Sequence, residues 1–241
     1  MKLALIGYGK LGKAIEEIAL KRGHEILLRV TKENAQSYDL SNCDMAIEST
    51  NPESVISNIN KCMDSNIPVV VGTTGWYAQF DEVKNKVLEK NGSLVYATNF
   101  SVGVHLFWQA NRALAKMMRG FSDYDVSITE IHHTAKKDAP SGTAITTAEI
   151  LLEELETKKH WKLVNELERN NDDDIQIKAI REGDAKGTHI VTYESEVDRI
   201  ELKHEAFSRA GFALGAVLAA EYLHNKKGVY SMRDVLKEHI N

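Results

Sequence analysis

The sequence predicts an α/β protein of two domains: a parallel sheet with helices on both faces, then an α+β domain built on a mixed sheet. Two observations lead to this prediction. In the first part, short apolar runs typical of buried strands alternate with stretches of helical periodicity, as in parallel α/β sheets. In the second part, strand-like runs follow one another without helices between them, so that sheet is expected to be mixed or antiparallel. The length of 241 residues is sufficient for two such domains.

The first domain is predicted from the N-terminus onward. Five strands are expected in order, at Lys2–Ile6, His24–Val30, Asp44–Glu48, Pro68–Val71 and Ser93–Ala97. The first helix is indicated by four apolar residues at helical spacing, Ala14, Ile15, Ile18 and Ala19. Pro52 is placed near the start of the next helix, whose apolar positions are Val55, Ile56 and Ile59.

The second domain is predicted to hold a long helix and four strands, at Val104–Met118, Val126–Ile131, Ile175–Ile180, Thr188–Glu194 and Arg199–Ala206. Asn170–Asp174 is predicted to be a polar, acidic turn or mobile loop. Two last helices, Phe212–Leu223 and Met232–Glu238, are expected to return to the first domain. The predicted domains are therefore 1–102 completed by 210–241, and 103–209.

Composition narrows the class of protein. A net charge of −5 argues against a nucleic acid partner, which would favour a basic surface. No basic, apolar leader opens the chain, and no apolar run is long enough to span a bilayer, so no membrane association is expected. Cys43 and Cys62 are too few for a disulfide framework or a zinc site. These features predict a cytoplasmic protein.

A glycine motif follows the first strand and opens the first helix. It reads Gly7, Tyr8, Gly9, Lys10, Leu11 and Gly12. In this position the first glycine permits a tight turn, the second permits close approach of a pyrophosphate, and the third permits close packing of helix and strand. The motif predicts a Rossmann-type dinucleotide-binding domain; the alternative is a purely structural turn.

The end of the second strand bears on the choice of dinucleotide. An acid is usual there for the adenosine ribose, but this chain has Thr31 and Lys32, with Glu33 as the nearest following acid. Lys32, together with Arg29, could pair with a 2′-phosphate, which predicts use of both cofactors with NADPH somewhat favoured. The alternative is that both cations are solvated surface charges.

A second loop, Gly72-Thr73-Thr74-Gly75, follows the fourth strand. A loop there lies at the carboxyl edge of the sheet, where open α/β folds bind ligands. Gly72, Thr73 and Thr74 are therefore expected to line the nicotinamide side of the dinucleotide site. The alternative is an ordinary strand-to-helix turn.

The segment from Glu130 to Ala144 joins a strand to a helix, and Asp138 or Ser141 can cap that helix. Gly142 and Thr143 then offer backbone amides to an anion, with Lys136 nearby. The adjacent His132 and His133 should point to different sides, so that one binds substrate and the other passes a proton. The alternatives are a solvated loop, or a metal site completed by His189 and His204. No ligand spacing supports the latter, and no metal is expected.

This segment resembles the 4-hydroxy-tetrahydrodipicolinate reductase (dihydrodipicolinate reductase) family, whose signature E-x-H-H-x-x-K-x-D-x-P-S-G-T-A it matches throughout. The resemblance covers nearly the whole chain. It includes both glycine loops and the segments Ala97–Val104, His204–Phe212 and Tyr230–Leu236. One departure is Glu48-Ser49-Thr50, where the family has Asp-Phe-Thr/Ser.

The resemblance implies reduction of a cyclic imine dicarboxylate with NADPH or NADH, in diaminopimelate and lysine synthesis. It implies that His132 donates a proton and that Lys136 is catalytic or orients the substrate. The implied substrate-binding residues are His133, Lys136, Ser141, Gly142 and Thr143. In addition to the glycine motif and Gly72–Thr74, the implied dinucleotide-binding residues are Ala97, Thr98, Asn99 and Phe100.

Two other functions remain open on sequence grounds. One is another two-domain NAD(P)-dependent amino-acid or sugar dehydrogenase, against which the Glu130–Ala144 signature argues. The other is a non-catalytic NAD(P)H-binding sensor, which would keep the glycine motif but would not need His132 or Lys136. The fold by itself does not decide, because it hosts many functions.

A homotetramer is also predicted. The second domain has four expected strands and few helices to cover them, so its sheet would expose an apolar face or an edge unless another subunit covered it. The family resemblance implies tetramers as well.

Overall fold

The computed structural model describes residues 1–169 and 173–240, which form two compact units. Unit 1 comprises Met1–Val102 and the chain from Arg209 onward, and unit 2 comprises Gly103–Ser208. Residues 170–172 of the predicted acidic turn lie outside the described residues, whereas Asp174 opens a strand. The predicted fold class, a Rossmann-like parallel sheet with a second, mixed sheet, is confirmed.

Unit 1 contains a six-stranded parallel sheet in the order β11-β5-β4-β3-β1-β2. Its strands are β1 (Lys2–Ile6), β2 (Glu25–Val30), β3 (Met45–Glu48), β4 (Val69–Val71), β5 (Ser93–Tyr96) and β11 (Gly228–Ser231). Its helices are α1 (Lys10–Lys21), α2 (Pro52–Asp64), α3 (Phe80–Glu89), α6 (Ala210–Leu223) and α7 (Met232–Ile240), with a short 3-10 turn at Tyr77–Gln79.

Helices cover both faces of this sheet because side chains alternate along each strand. In β1, Leu3 and Leu5 pack with α1 and α6, whereas Ala4 and Ile6 pack in a second core with α2 and α3. Both cores consist mainly of buried aliphatic side chains, with Phe100 in the first core and Tyr38 and Trp76 in the second. Apolar runs without polar alternation, as in β1, β3 and β4, are therefore explained by burial on both faces.

The strand β11 was not predicted from the sequence. It is only four residues long and pairs in parallel with β5 at the edge of the sheet, with Gly228 opposite Ser93. The preceding helix, α6, packs closely on the sheet: a Cβ at Gly215 would lie 1.7 Å from the backbone oxygen of Phe100. The glycine therefore permits contact between helix backbone and loop backbone at this point.

Unit 2 contains a five-stranded mixed sheet in the order β10-β9-β6-β8-β7. Its elements are α4 (Val102–Met118), β6 (Asp125–His132), α5 (Gly142–Glu154), β7 (His160–Val164), β8 (Asp174–Arg181), β9 (Thr188–Glu194) and β10 (Arg199–Glu205). β6, β8 and β7 are parallel to one another, while β9 is antiparallel to β6 and β10. The edge strand β7 was not predicted.

The core of unit 2 lies between the sheet and the helices α4 and α5. Val126 and Ile128 of β6 point into this core, and Ser127 and Thr129 point to the opposite face, where polar side chains line a cavity. Among the described residues, no helix combines the length and the apolar character needed to cross a bilayer.

Candidate active site

The glycine motif has the geometry of a phosphate-binding turn. Gly7 follows β1 with a φ of +96°, and a Cβ there would lie 2.3 Å from the backbone oxygen of Ser49. A Cβ at Gly12 would lie 2.3 Å from the oxygen of Gly7. Gly9, by contrast, has nothing within 4 Å of its Cβ direction and directly precedes α1. Gly7 and Gly12 are thus required by packing, and Gly9 leaves open space at the helix N-terminus, where an anion is favoured.

A small cavity of about 60 Å³ lies at the carboxyl edge of the unit 1 sheet. It gathers five of the dinucleotide-binding residues expected from sequence, namely Leu11, Gly72, Thr98, Asn99 and Phe100. Ala97 instead packs in the core, and Thr73 is buried. The structure therefore brings segments after β1, β4 and β5 to one edge, which is where open α/β sheets bind ligands.

The loop after β4 is held by a buried carboxyl group that sequence reasoning did not assign. Glu48, at the end of β3, is fully buried, and its Oε1 accepts hydrogen bonds from Asn58 Nδ2 at 3.2 Å and from Thr50 N at 3.1 Å. Thr50 N also donates to Thr73 Oγ1 at 2.8 Å. Burial raises the pKa of Glu48, which favours its neutral form. The sequence signals were its position as the last residue of a buried strand and its departure from the acid that the family has there.

Both candidate cations at the end of β2 are exposed, but Arg29 is already paired within the unit. Arg29 pairs with Glu16 of α1 and lies 5.8 Å from the ring centre of Tyr8, whose hydroxyl donates to the same carboxylate. Lys32 is exposed. Because Arg29 is already paired with Glu16, Lys32 is the better placed of the two cations to contact a 2′-phosphate.

An acid does lie close to the end of β2. The hydroxyl of Thr31 donates to the carboxylate of Glu33, and the backbone N–H of Thr31 donates to Asn34 Oδ1 at 2.7 Å. The hydrogen bond from Thr31 lowers the pKa of Glu33, so this carboxylate stays ionised. Thr31 and Glu33 thus form a polar group that suits a ribose hydroxyl, beside the cation Lys32.

In unit 2, the signature segment leads from the end of β6 to the N-terminus of α5. Ser141 is the N-cap, and its hydroxyl accepts from the backbone N–H of Ala144 at 3.2 Å. Asp138, the other predicted cap, instead pairs with Lys136 at 2.6 Å. A Cβ at Gly142 would meet nothing within 4 Å, so the first turn of α5 is open to an anionic group there.

The two adjacent histidines differ in environment: His132 is the last residue of β6, and His133 is the first residue beyond it. His132 is buried, with a side chain 11% exposed, and His133 is half-buried. Burial lowers the pKa of His132, and the carboxylate of Glu130 opposes this effect; Lys136 and Arg181 lower the pKa further, and Asp138 raises it. The charge state of His132 is therefore set by its neighbours.

The alternative of a metal site has a geometric basis. Glu130, His132 and His189 each offer one ligand atom, and the three atoms lie within 4.8 Å of one another. However, Arg181 Nη2 already donates to Glu130 Oε1 at 3.0 Å, which places a positive charge where a cation would bind. His204 is not in this group, although its ring centre lies 6.5 Å from that of His189.

This combination of units defines a class of protein. A Rossmann-type unit with a glycine-rich first loop, and a mixed-sheet unit with a histidine and a lysine before a helix N-terminus, are typical of two-domain nicotinamide-dependent oxidoreductases. A solved amine dehydrogenase from Mycobacterium smegmatis is similar in fold, with a TM-score of 0.60, 10% identity, and coverage of 96% of this chain and 95% of that one.

Closer comparisons identify the family. Residues 1–100 match the family model described as dihydrodipicolinate reductase, N-terminus, and residues 103–236 match the corresponding C-terminus. The 4-hydroxy-tetrahydrodipicolinate reductase of Christiangramia forsetii is 45% identical over 240 residues, covering 99% of this chain and 98% of that protein. The enzyme of the same name from Methanoculleus marisnigri is 41% identical over 195 residues, covering 80% of this chain and 75% of that protein. The chain therefore belongs to the dihydrodipicolinate reductase family and is an oxidoreductase.

A solved structure supports the same fold. The dihydrodipicolinate reductase from Paenisporosarcina sp. TG-14, determined with bound dipicolinate, has a TM-score of 0.74 and 22% identity to this chain. The match covers 96% of this chain and 97% of that one.

Proposed function

We propose that the protein is a cytoplasmic enzyme that reduces 4-hydroxy-tetrahydrodipicolinate to tetrahydrodipicolinate with NADPH or NADH, in diaminopimelate and lysine synthesis. The observation that carries this proposal is the arrangement before α5, where His132, Lys136 and the capped helix N-terminus come from one segment. A dicarboxylate suits this segment, because the cation and the backbone amides both favour negative charge.

The residues have separate roles in this reaction. The bound nicotinamide supplies a hydride, and the reaction consumes one proton and releases one water molecule. His132 donates the proton to the substrate atom on which negative charge builds. Lys136 and His133 hold one end of the substrate, and Ser141, Gly142 and Thr143 present the helix N-terminus to a carboxylate.

Turnover in a coupled assay tests the reaction. Pyruvate and aspartate semialdehyde are supplied with the preceding synthase, and the absorbance of the reduced nicotinamide is followed. Consumption of NAD(P)H that requires both the synthase and this protein supports the proposal. Binding of NAD(P)H without consumption would instead support the sensor alternative.

For the dinucleotide, we propose use of both cofactors with NADPH somewhat favoured. Support comes from the exposed Lys32 beside Thr31 and Glu33, with Lys10 exposed on the glycine loop. The preference should be small, because an exposed ion pair contributes only about 0.2–1 kcal/mol. It should also weaken as salt increases.

Two neighbouring substitutions test this preference in opposite directions. Lys32→Ala should lower kcat/KM for NADPH by a few-fold, because it removes the cation, and leave that for NADH nearly unchanged. Glu33→Gln should raise the relative use of NADPH, because it removes a negative charge near the same position. For both variants, the ratio of kcat/KM with NADPH to kcat/KM with NADH should be measured at low and high salt. A strong NADH preference in the parent that Lys32→Ala does not change would contradict the assignment.

We also propose a homotetramer. Helices α4 and α5 both pack on the core side of the unit 2 sheet, and the other face carries polar residues such as Ser127, Thr129 and Thr192. An apolar face or an edge was predicted there from the sequence; the uncovered face is instead polar, and β10 is an edge strand. An exposed edge favours pairing with another subunit. Light scattering at micromolar concentration should yield the mass of four chains, and the mass of one chain would rule the proposal out.

A further inference from the structure

We infer that Glu130 is a positioning residue that orients the ring of His132 by accepting a hydrogen bond from its Nδ1–H, so that the protonated ring donates the proton on Nε2 to the substrate. This inference rests on the proposed function, in which His132 is the proton donor. Glu130 lies two residues before His132 on β6, so both side chains point to the same face of the sheet. Glu130 Oε2 is 3.5 Å from His132 Nδ1.

Glu130 is a fully buried carboxyl group that joins the separate parts of the site. Both of its oxygens accept from the backbone N–H of Ser141, at 3.2 and 3.0 Å, where α5 begins. Arg181 Nη2 donates to Oε1 at 3.0 Å and to the backbone oxygen of Asp138 at 2.6 Å. One carboxyl group therefore connects the histidine, the helix N-terminus and the loop that carries Lys136.

The two ring nitrogens of His132 have different surroundings, and these indicate how the ring is oriented. Nδ1 is buried, lies 3.5 Å from Glu130 Oε2 and has no hydrogen-bond partner among the described residues. Nε2 lies beside Gly187, where a Cβ would come within 3.1 Å of it and where φ is +137°. Gly187 thus leaves space at Nε2 that other residues would fill. A distance of 3.5 Å is long for a hydrogen bond, and such pairs in empty sites often shorten when substrate binds.

Other groups around His132 also affect its pKa, and the effect of Glu130 has to be compared with theirs. His189 is buried, its ring centre lies 5.1 Å from that of His132, and burial lowers its pKa to about 3, so it remains neutral. Lys136 and Arg181 disfavour the protonated form of His132, and Glu130 and Asp138 favour it. Of these two carboxylates, Asp138 is the more exposed and is paired with Lys136. Glu130 is therefore the main group that opposes the lowering of the His132 pKa by burial.

Charge removal at two positions tests this inference in opposite directions. In Glu130→Gln the pKa of His132 should fall, so the alkaline limb of the pH profile of kcat/KM should move to lower pH. Turnover at neutral pH should fall by ~10-fold or more. In Arg181→Met a group that lowers the pKa of His132 is lost, so the same limb should move to higher pH. Glu130→Asp retains the charge and should restore part of the parent profile.

A matched control separates positioning from folding. Asp125, at the start of β6, is also a buried carboxylate, and it pairs with Lys158 at 2.8 Å. Asp125→Asn should lower stability, because it removes the carboxylate that pairs with a buried lysine, but it should leave the pH limb in place. If Glu130→Gln fails to fold, Arg181→Met and Glu130→Asp still test the inference.

A second measurement does not depend on turnover. The imidazole of His132 can be titrated by NMR without substrate, with its resonance assigned from His132→Asn. The titration should move to lower pH in Glu130→Gln and stay in place in Asp125→Asn. Folded variants with an unmoved titration and an unmoved limb would overturn the inference. If the parent protein does not turn over the substrate, the proposed function fails, and the NMR titration still decides whether Glu130 and His132 are coupled.

Discussion

Replacing His132 by asparagine should lower kcat by ~10²–10⁴-fold, the usual effect of removing a general acid, while the affinity for NADPH changes little. The physical reason for the unchanged affinity is that His132 lies in unit 2, whereas the glycine motif lies in unit 1. His160, an exposed histidine on β7, provides a control. His160→Asn should retain parent kinetics. Loss of dinucleotide binding in a folded His132 variant would contradict the assigned role.

Lys136 should behave similarly, with a neighbour as its control. Lys136→Ala removes a half-buried cation that pairs with Asp138 near the start of α5, so turnover should fall strongly and dinucleotide affinity should remain. Lys137 is exposed and adjacent in sequence. Lys137→Ala changes the net charge by the same amount and should have little effect. Equal losses in the two variants would indicate a general charge effect rather than a specific contact.

Gly215→Ala should produce the largest loss of stability among single-methyl additions in unit 1. The added Cβ would lie 1.7 Å from the backbone oxygen of Phe100, and a backbone atom cannot move aside as a flexible side chain can. Overpacking usually costs about 1–3 kcal/mol, and a contact this short places the cost at or above the top of that range. Because Phe100 also lines the cavity at the sheet edge, dinucleotide binding should weaken too.

Gly211 of the same helix is the matched control. A Cβ there would lie 3.4 Å from Ser101 Oγ, an ordinary contact. Gly211→Ala should therefore leave the free energy of unfolding equal or slightly higher, since alanine is favoured over glycine in helices by up to about 1 kcal/mol. Urea unfolding of both variants, with and without NADPH, measures the difference. Equal stability of the two variants would refute the packing argument.

The Rossmann-type unit was largely predictable from sequence, for a physical reason. Its strands are buried on both faces, so they form continuous apolar runs, and β1 was predicted with the bounds that the structure shows. The glycine motif could be recognised because two of its glycines are required by close backbone contacts. A Cβ at Gly12 would collide with Gly7, five residues earlier, and a Cβ at Gly7 would collide with Ser49, which follows the neighbouring strand β3. In this unit the local sequence pattern and the tertiary contacts therefore indicate the same structure.

Two edge strands escaped prediction because their pattern is weak. β7 reads HWKLV, with polar residues among the apolar ones, and β11 has four residues and no fully buried side chain. Each is a strand because a neighbouring strand supplies hydrogen bonds, β8 for β7 and β5 for β11. The pairing partner of β11 lies far earlier in the chain, so no local pattern reveals it.

The sequence by itself determined the family signature, the glycine loops and the candidate residues His132 and Lys136, since these depend on residue type and short spacing. Only the tertiary structure brought Arg181 and His189 beside Glu130 and His132, because β8 and β9 are separated from β6 along the chain and adjacent to it in the sheet. The burial that sets the pKa of His132 depends on the same strand pairing. The sequence resemblance indicates His132 as the proposed proton donor, and the packing around it sets the direction in which its pKa is shifted.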